Sequence, residues 1–348
     1  VLSPDDVPVL RDGDVTLRAP RPDDPPRAVG HGRDRAPDVR TDGSAHWFAT
    51  EYGAGFVGWV GLLRRNAHEA DVALSLHSDV ADNQVLDRAL ALLVDWGFTD
   101  AGYTVLHWRT TVGDWASRRA AWQAGFNFGP TVPRVLEHRG QWHDAWTGWI
   151  HADDPREPSG RWLTVPVLET DRLRLRAWEE QDLQRVVEAR SDPVSQRFAP
   201  VPQPYGEDRA RRFLRLIAED TSMGTRITWC VADRDNDLPL ANVSLFDLDG
   251  RDETCGEIGY WSHPEARGRG VTAEAVRRAA DWALAAESEG GFGLRRLMVM
   301  TAASNVASVK VAERAGFVPS GTERAAYVLG DGSFDDMRVF DRLRTDAG

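Results

Sequence analysis

Hydrophobic positions along the C-terminal half of the chain fall into two alternating rhythms. Over residues 172–176, 227–233, 239–247 and 255–262, apolar residues crowd into short runs separated by turn residues, which predicts strands. Further strands are expected at 296–301, 317–327 and 336–343. Over 179–190, 207–219, 271–286 and 305–315 the apolar residues recur at three- and four-residue intervals, which predicts helices. In the 271–286 helix Val276, Ala279, Ala280 and Ala283 share one face, and Gly316 stands where a helix-ending glycine is expected. Strand runs flanking isolated helices predict an α+β, or mixed α/β, domain built around one mostly antiparallel central sheet.

The pattern occurs twice. "VTLRAPRPDD" (15–24) echoes "LRLRAWEEQD" (173–182), and His77 aligns with His263 so that Asp95-Trp96 falls on Asp281-Trp282. "DWASRRAAWQAGF" (114–126) then matches "NVASVKVAERAGF" (305–317), and "GQWHDAW" (140–146) matches "GSFDDMR" (332–338). Matches in one order indicate a tandem duplication. The expected domains are 1–150 and 167–348, joined by a Pro-rich linker over 151–166.

Composition narrows the function classes. A chain of 348 residues with 42% apolar and 28% charged residues suits two folded domains. A net charge of −12 argues against a nucleic-acid-wrapping surface and suits cationic partners such as amines. No apolar run approaches membrane length, and the acidic N-terminal stretch shows neither signal nor transit peptide. Two cysteines, Cys230 and Cys255, fit a reducing cytoplasm and are too few for a disulfide scaffold or a structural zinc site. A cytoplasmic protein with no metal is therefore expected.

The chemistry gathers at "HPEARGRGVTAEAVRRAADWAL" (263–284). Gly268 and Gly270, between a strand end and a helix start, let the backbone reach positive φ and approach a ligand closely. The N–H groups and helix dipole at such a junction favour an anion, and Arg267 and Arg269 add positive charge, so a pyrophosphate is the natural guest. A P-loop would need Gly-Lys-Ser/Thr, which is missing. "GRGVTA" (268–273) satisfies the dinucleotide pattern G-x-G-x-x-A, but it follows three strands instead of the first. A glycine-rich surface turn is the bland alternative.

"EIGYWSHPEARGRGVTAEAV" followed by "NVASVKVAERAGF" resembles the GNAT N-acetyltransferase superfamily, and within it the RimJ/RimL branch. The likeness covers 168–343 well and 15–150 in outline; Arg267, Gly270 and Thr272 occupy fixed positions of the family's loop motif, Thr272 departing from its small last residue. The resemblance implies acetyl transfer from acetyl-CoA to a primary amine, on a small molecule or a protein N-terminus, by direct attack. It implies that backbone N–H groups from Arg267 through Gly268, Arg269, Gly270 and Val271 to Thr272 hold the CoA pyrophosphate. The strand through Tyr260, Trp261 and Ser262 is implied to splay from its neighbour and pair with the pantetheine. Glu257 is the implied base, with a strand-edge ion pair as its structural alternative. Asn305 and Ser308 match the family's Asn-x-x-Ser: Asn305 also reads as a helix cap, and Ser308 as a CoA contact or an acid near the sulfur. The family's usual tyrosine acid is replaced by Ala312, while Tyr327 is a further catalytic candidate or a packing residue. Mycothiol synthase, another two-domain member, fits these segments less well.

In the first copy the loop reads "ADNQVL" (81–86): both glycines and both arginines are gone, and Asp82 adds a negative charge. The first domain is therefore expected to be a degenerate, non-catalytic partner. Loss of the tyrosine leaves open an acyl-CoA sensor without turnover. His263, with its counterpart His77, and Trp96 with Trp282 read as structural; Trp178 and Trp229 suit packing or a cleft wall.

Overall fold

The computed structural model describes residues 7–25, 45–77, 84–138 and 140–346. The chain divides into two compact units, Val1–Ser159 and Gly160–Gly348. The first contains β1 (Leu10–Asp12), β2 (Val15–Arg18), β3 (Ala45–Tyr52), β4 (Gly55–Arg64), β5 (Glu69–Leu76), α1 (Val85–Thr99), β6 (Val105–Thr111), α2 (Trp115–Gln123), β7 (Asn127–Phe128), β8 (Val132–His138) and β9 (Gln141–His151). The second opens with β10 (Leu168–Glu169) and β11 (Leu173–Arg176), then α3 (Leu183–Ser191), α4 (Pro193–Phe198) and α5 (Glu207–Ser222). It continues through β12 (Ile227–Asp233), β13 (Pro239–Phe246), β14 (Cys255–Ser262), α6 (Val271–Leu284), β15 (Arg296–Ala302), α7 (Val306–Arg314), β16 (Val318–Val328) and β17 (Phe334–Leu343).

Each unit is one sheet, and the two sheets share a plan. The second runs β10-β11-β12-β13-β14-β15-β17-β16; the first runs β1-β2-β3-β4-β5-β6-β9-β7, with β8 also on β9. All neighbouring pairs are antiparallel except β14–β15 and its counterpart β5–β6. The mixed α/β fold and the duplication expected from the repeats are both present. The face of α6 expected to be buried is buried: Val276, Ala279, Ala280 and Ala283 have no exposed surface. Three of those four are alanines, which let the helix axis lie close to the sheet.

The repeated "LR…D" segments hold matching ion pairs at the end of each second strand. Arg18 grips Asp24 and Arg176 grips Asp182, each through two guanidinium nitrogens, with all four side chains below 10% exposed. His77 and His263 also hold equivalent places, each donating its backbone N–H to the neighbouring strand, at Val57 and Leu240. His263 is buried with its ring bonded to Glu188 at 3.0 Å, and Trp96 and Trp229 lie in the two cores.

Three features depart from expectation. The 179–190 helix is broken by a 3₁₀ turn at Glu180–Asp182, closed by a reciprocal cap between Glu179 and Asp182, so α3 begins only at Leu183. The short helix α4, none of whose residues is buried, was not expected. The 151–166 segment lacks helix and strand beyond His151, but it is tied down. Arg156 lies 4.4 Å over the Phe98 ring within the first unit. In the second unit Leu163 donates to Thr221, and the Pro166 carbonyl accepts from the Trp229 indole at 2.9 Å. Among the described residues no helix is long and apolar enough to cross a membrane, and no cluster of three or more metal-ligating side chains occurs.

Candidate active site

The site follows from where β14 and β15 part. They pair only through Cys255, Gly256 and Glu257 against Arg296, Leu297 and Met298. Beyond that point β15 continues on β17 as far as Ala302, and β14 continues on β13 as far as Ser262. The main chain from Ile258 to Ser262 is therefore unpaired on its β15 side, opening a cleft of ≈ 610 Å³. Glu257, Tyr260, Trp261, Ser262, the glycine loop, Asn305, Ser308 and Tyr327 all line it.

At one end lies the loop. After His263, a 3₁₀ turn over Pro264–Ala266 leads into Gly268 and Gly270 at φ 74° and 75°, and α6 starts at Val271. The backbone N–H groups of Gly268, Arg269, Gly270, Val271, Thr272 and Ala273 have no acceptor among the described residues, as expected of a loop and a first helical turn. Arg267 is different, because its N–H already donates to Pro264 at 3.2 Å. Its guanidinium bonds Asp192 at 2.5 Å and Ser195 Oγ at 3.2 Å, at the N-cap of α4. Arg269 is exposed and has no carboxylate partner among the described residues. Lys310 and Arg314 on α7 add two further cations to the cleft wall. Sequence reading missed both, although Ala307, Lys310, Val311 and Arg314 follow the spacing of one helical face.

In the middle, Asn305 caps α7 by accepting from the Ser308 N–H at 3.1 Å. The Ser308 hydroxyl donates to Tyr260 Oη at 3.1 Å, and Tyr260 donates in turn to the Ser308 carbonyl at 3.0 Å. Burial pushes the Tyr260 phenol up to about 12, the Ser308 bond offsetting part of the shift. The pair couples a strand and a helix 48 positions apart in sequence.

At the other end lies Glu257, which shares one strand face with Trp261, while Tyr260 packs into the core on the other. Burial raises the Glu257 carboxyl above its ordinary value, and the charge of Asp247 adds to the rise. Tyr327 donates its hydroxyl to the Phe198 carbonyl at 2.7 Å, tying β16 to the end of α4. Burial, and then the charge of Glu257, raises its pKa too. Its proton is thus engaged with main chain.

The first unit repeats the frame with different side chains at the matching positions. β5 and β6 also part after three paired residues. Asp71, at the position of Glu257, is bonded to Arg65 at 2.8 Å, and Leu74 stands at the position of Tyr260. Ser117, the counterpart of Ser308, is buried and accepts from the Trp108 indole at 3.0 Å. Gln84, aligned with Gly270, keeps left-handed geometry at the start of α1, while Asp82 lies outside the described residues.

The model of the acetyltransferase (GNAT) domain matches the chain twice, over residues 20–127 and 172–318. The chain is 25% identical over 175 residues, half of its length, to 95% of the uncharacterized N-acetyltransferase YoaA of Bacillus subtilis (strain 168). Among solved structures, ribosomal-protein-S5-alanine acetyltransferase from Vibrio fischeri is similar at 19% identity, covering 53% of this chain and 99% of that one, with a TM-score of 0.45. RimL, a ribosomal L7/L12 alpha-N-protein acetyltransferase solved with coenzyme A, is similar at 18% identity over 51% and 98%, with a TM-score of 0.45. With the domain matched in both halves and most of the chain covered, this protein belongs to the GNAT family of acyl-CoA-dependent acetyltransferases, as a tandem of two such domains.

Proposed function

We propose that the second unit transfers the acetyl group of acetyl-CoA directly to a primary amine, on a small molecule or a protein N-terminus. The observation that carries this reading is the parting of β14 from β15 immediately after Glu257, with a row of unpaired loop N–H groups at its far end. The free N–H groups from Gly268 to Thr272 suit the CoA pyrophosphate, with Arg269, Lys310 and Arg314 as counter-charges. The unpaired main chain of Tyr260 to Ser262 supplies donors for the pantetheine and the thioester oxygen.

In the reaction the amine nitrogen bonds to the acetyl carbon and the carbon–sulfur bond breaks. Glu257, directly or through water, takes the ammonium proton; its raised pKa brings it closer to the acidity such a base needs. The departing thiolate is met by the Ser308 hydroxyl once its O–H turns from Tyr260 Oη toward the sulfur, and it leaves as the free thiol after taking a proton from solvent. Asn305 sets the start of that helix, and Tyr327 shapes the acceptor end.

The first unit is proposed to be non-catalytic, since its would-be base is ion-paired and its serine is sealed beneath Trp108. Acetyl-CoA turnover with a panel of amines, followed by thiol release in wild type and Glu257→Gln, tests the reading alongside calorimetric stoichiometry. One acetyl-CoA site per chain and turnover lost in the variant are expected. Binding without turnover for any amine favours an acyl-CoA sensor, in keeping with Ala312 in place of a phenol. Two sites per chain would overturn the account of the first unit.

A further inference from the structure

The cleft wall formed by α4 and the end of β14 carries aromatic side chains, and α3 behind it carries one unusual cation. Trp261 stacks on Trp178 at 5.6 Å and 27°, and the Trp178 indole is fixed by Asn242 at 3.0 Å. Beside them, in the last turn of α3, lies half-buried Arg190. Its Nη2 donates to the Ala199 carbonyl at 3.2 Å, and its guanidinium carbon lies 6.0 Å from the centre of the Trp261 ring. Ala199 and Trp261 both line the cleft.

Arg190 has no carboxylate partner among the described residues, and its remaining donors have no protein acceptor. The two carboxylates nearest it in sequence are turned elsewhere, Glu188 to His263 and Asp192 to Arg267. Two other arginines of these elements are neutralised, Arg185 by Glu188 and Glu265, and Arg267 by Asp192. Carboxylates push the pKa of Arg176 up, whereas burial pulls that of Arg190 down. Arginine stays charged at any working pH, so this is a desolvated positive charge with a backbone carbonyl and an aromatic face for company.

We infer that Arg190 anchors an anionic group on the acceptor, so that the substrate class is an amine bearing a carboxylate or phosphate and not a polyamine. The inference rests on the reading of this cleft as the acetyl-transfer site. Glu257 and Trp261 are four strand residues apart, about 13 Å along β14, so an acceptor reaching from the base to the Trp261 end is an extended one. The acidic balance of the chain suits cationic amines in general; an unpaired guanidinium behind the wall selects among them by the charge at the other end.

The test uses the whole chain and four acceptors of one length: octylamine, ω-aminooctanoate, ω-aminooctyl phosphate and diaminooctane. In wild type, kcat/KM for at least one anionic acceptor should exceed that for octylamine by about tenfold or more, with diaminooctane lowest. In Arg190→Gln that ratio should fall to near one, and Arg190→Lys should retain part of it; acetyl-CoA affinity reports that the variants are folded. Preference for the carboxylate or for the phosphate alone identifies which group the site takes. Preference for octylamine or diaminooctane, or a ratio unmoved in Arg190→Gln, overturns the inference. Should no amine be acetylated, the transfer reading itself fails. The anchor is then read by calorimetric titration of ω-aminooctanoate: about tenfold weaker binding to Arg190→Gln supports it, and equal affinity refutes it.

Discussion

Replacing Gly270 by aspartate sets a negative charge against the phosphates that the loop is proposed to hold. Open space lies where a Cβ at Gly270 would go, so the new side chain meets no clash. Its backbone, φ 75° and ψ 2°, is strained for most side chains, but the counterpart Gln84 adopts φ 59° and ψ 6° at the same turn. Aspartate is among the residues that enter this region most readily, at a cost of about 1 kcal/mol. Folding should therefore survive, leaving the charge to act. A carboxylate standing roughly 5 Å from a phosphate charge, at an effective dielectric near 20, is repelled by about 3 kcal/mol. That corresponds to weakening by a factor on the order of a hundred in Kd. Gly270→Asn, nearly isosteric and neutral, should lose about tenfold or less, since it keeps the bulk and drops the repulsion. Calorimetric titration of acetyl-CoA into wild type and both variants separates charge from bulk. Equal losses in the two variants, or none in Gly270→Asp, would refute the loop as the anion cradle.

Other consequences are open to measurement. Because Glu257 holds its proton to higher pH than a free glutamate, kcat/KM should rise with pH through its raised pKa; a rising limb that persists in Glu257→Gln removes it as base. The folded state binds that proton more tightly than the unfolded chain does, so stability falls as pH rises through the same window. Glu257→Gln should accordingly have the higher Tm at neutral pH. A Cβ on Gly259 would lie 2.6 Å from Phe246 Cε2. Gly259→Ala should therefore lose about 1–3 kcal/mol in denaturant unfolding, and most of it should return when Phe246→Leu is added. Asp182→Ala strands the buried guanidinium of Arg176 and should cost about 3–5 kcal/mol. Asp237→Ala, removing the 43% exposed partner of the same arginine, should cost no more than about 1 kcal/mol. Equal losses from these two would show that burial does not set the strength of the pair.

What could be read from sequence was what local rules control. The strands and long helices of the second unit fall close to their expected ranges, because burial on one face imposes a period that the chain must show. The glycine loop was legible for a similar reason: two positive-φ residues before a helix leave their mark in residue type. Helix α4 was not, since "PVSQRF" buries nothing and has no apolar period to detect. The segment after His151 reads as a linker by composition, and only its partners, Thr221 and the Trp229 indole, reveal that it is docked. Within the site the failures are long-range. Arg267 reads in sequence as a charge beside the glycines, and its bond to Asp192, 75 positions earlier, could not be read there. The Tyr260–Ser308 pair and the tie from Tyr327 to Phe198 likewise depend on topology that no local pattern encodes.

The bond between Arg267 and Asp192 joins two sides of the cleft that are proposed to meet different ligands. Asp192 both caps α4, through the Ser195 N–H at 2.9 Å, and receives the guanidinium of the loop. One carboxylate thus sets both the start of α4 and the edge of the glycine loop. A molecule that shifts either partner changes the energy of the other by the same amount, whichever arrives first. If acetyl-CoA and the acceptor occupy these two sides as proposed, each would alter the affinity for the other without touching it, through a single shared aspartate.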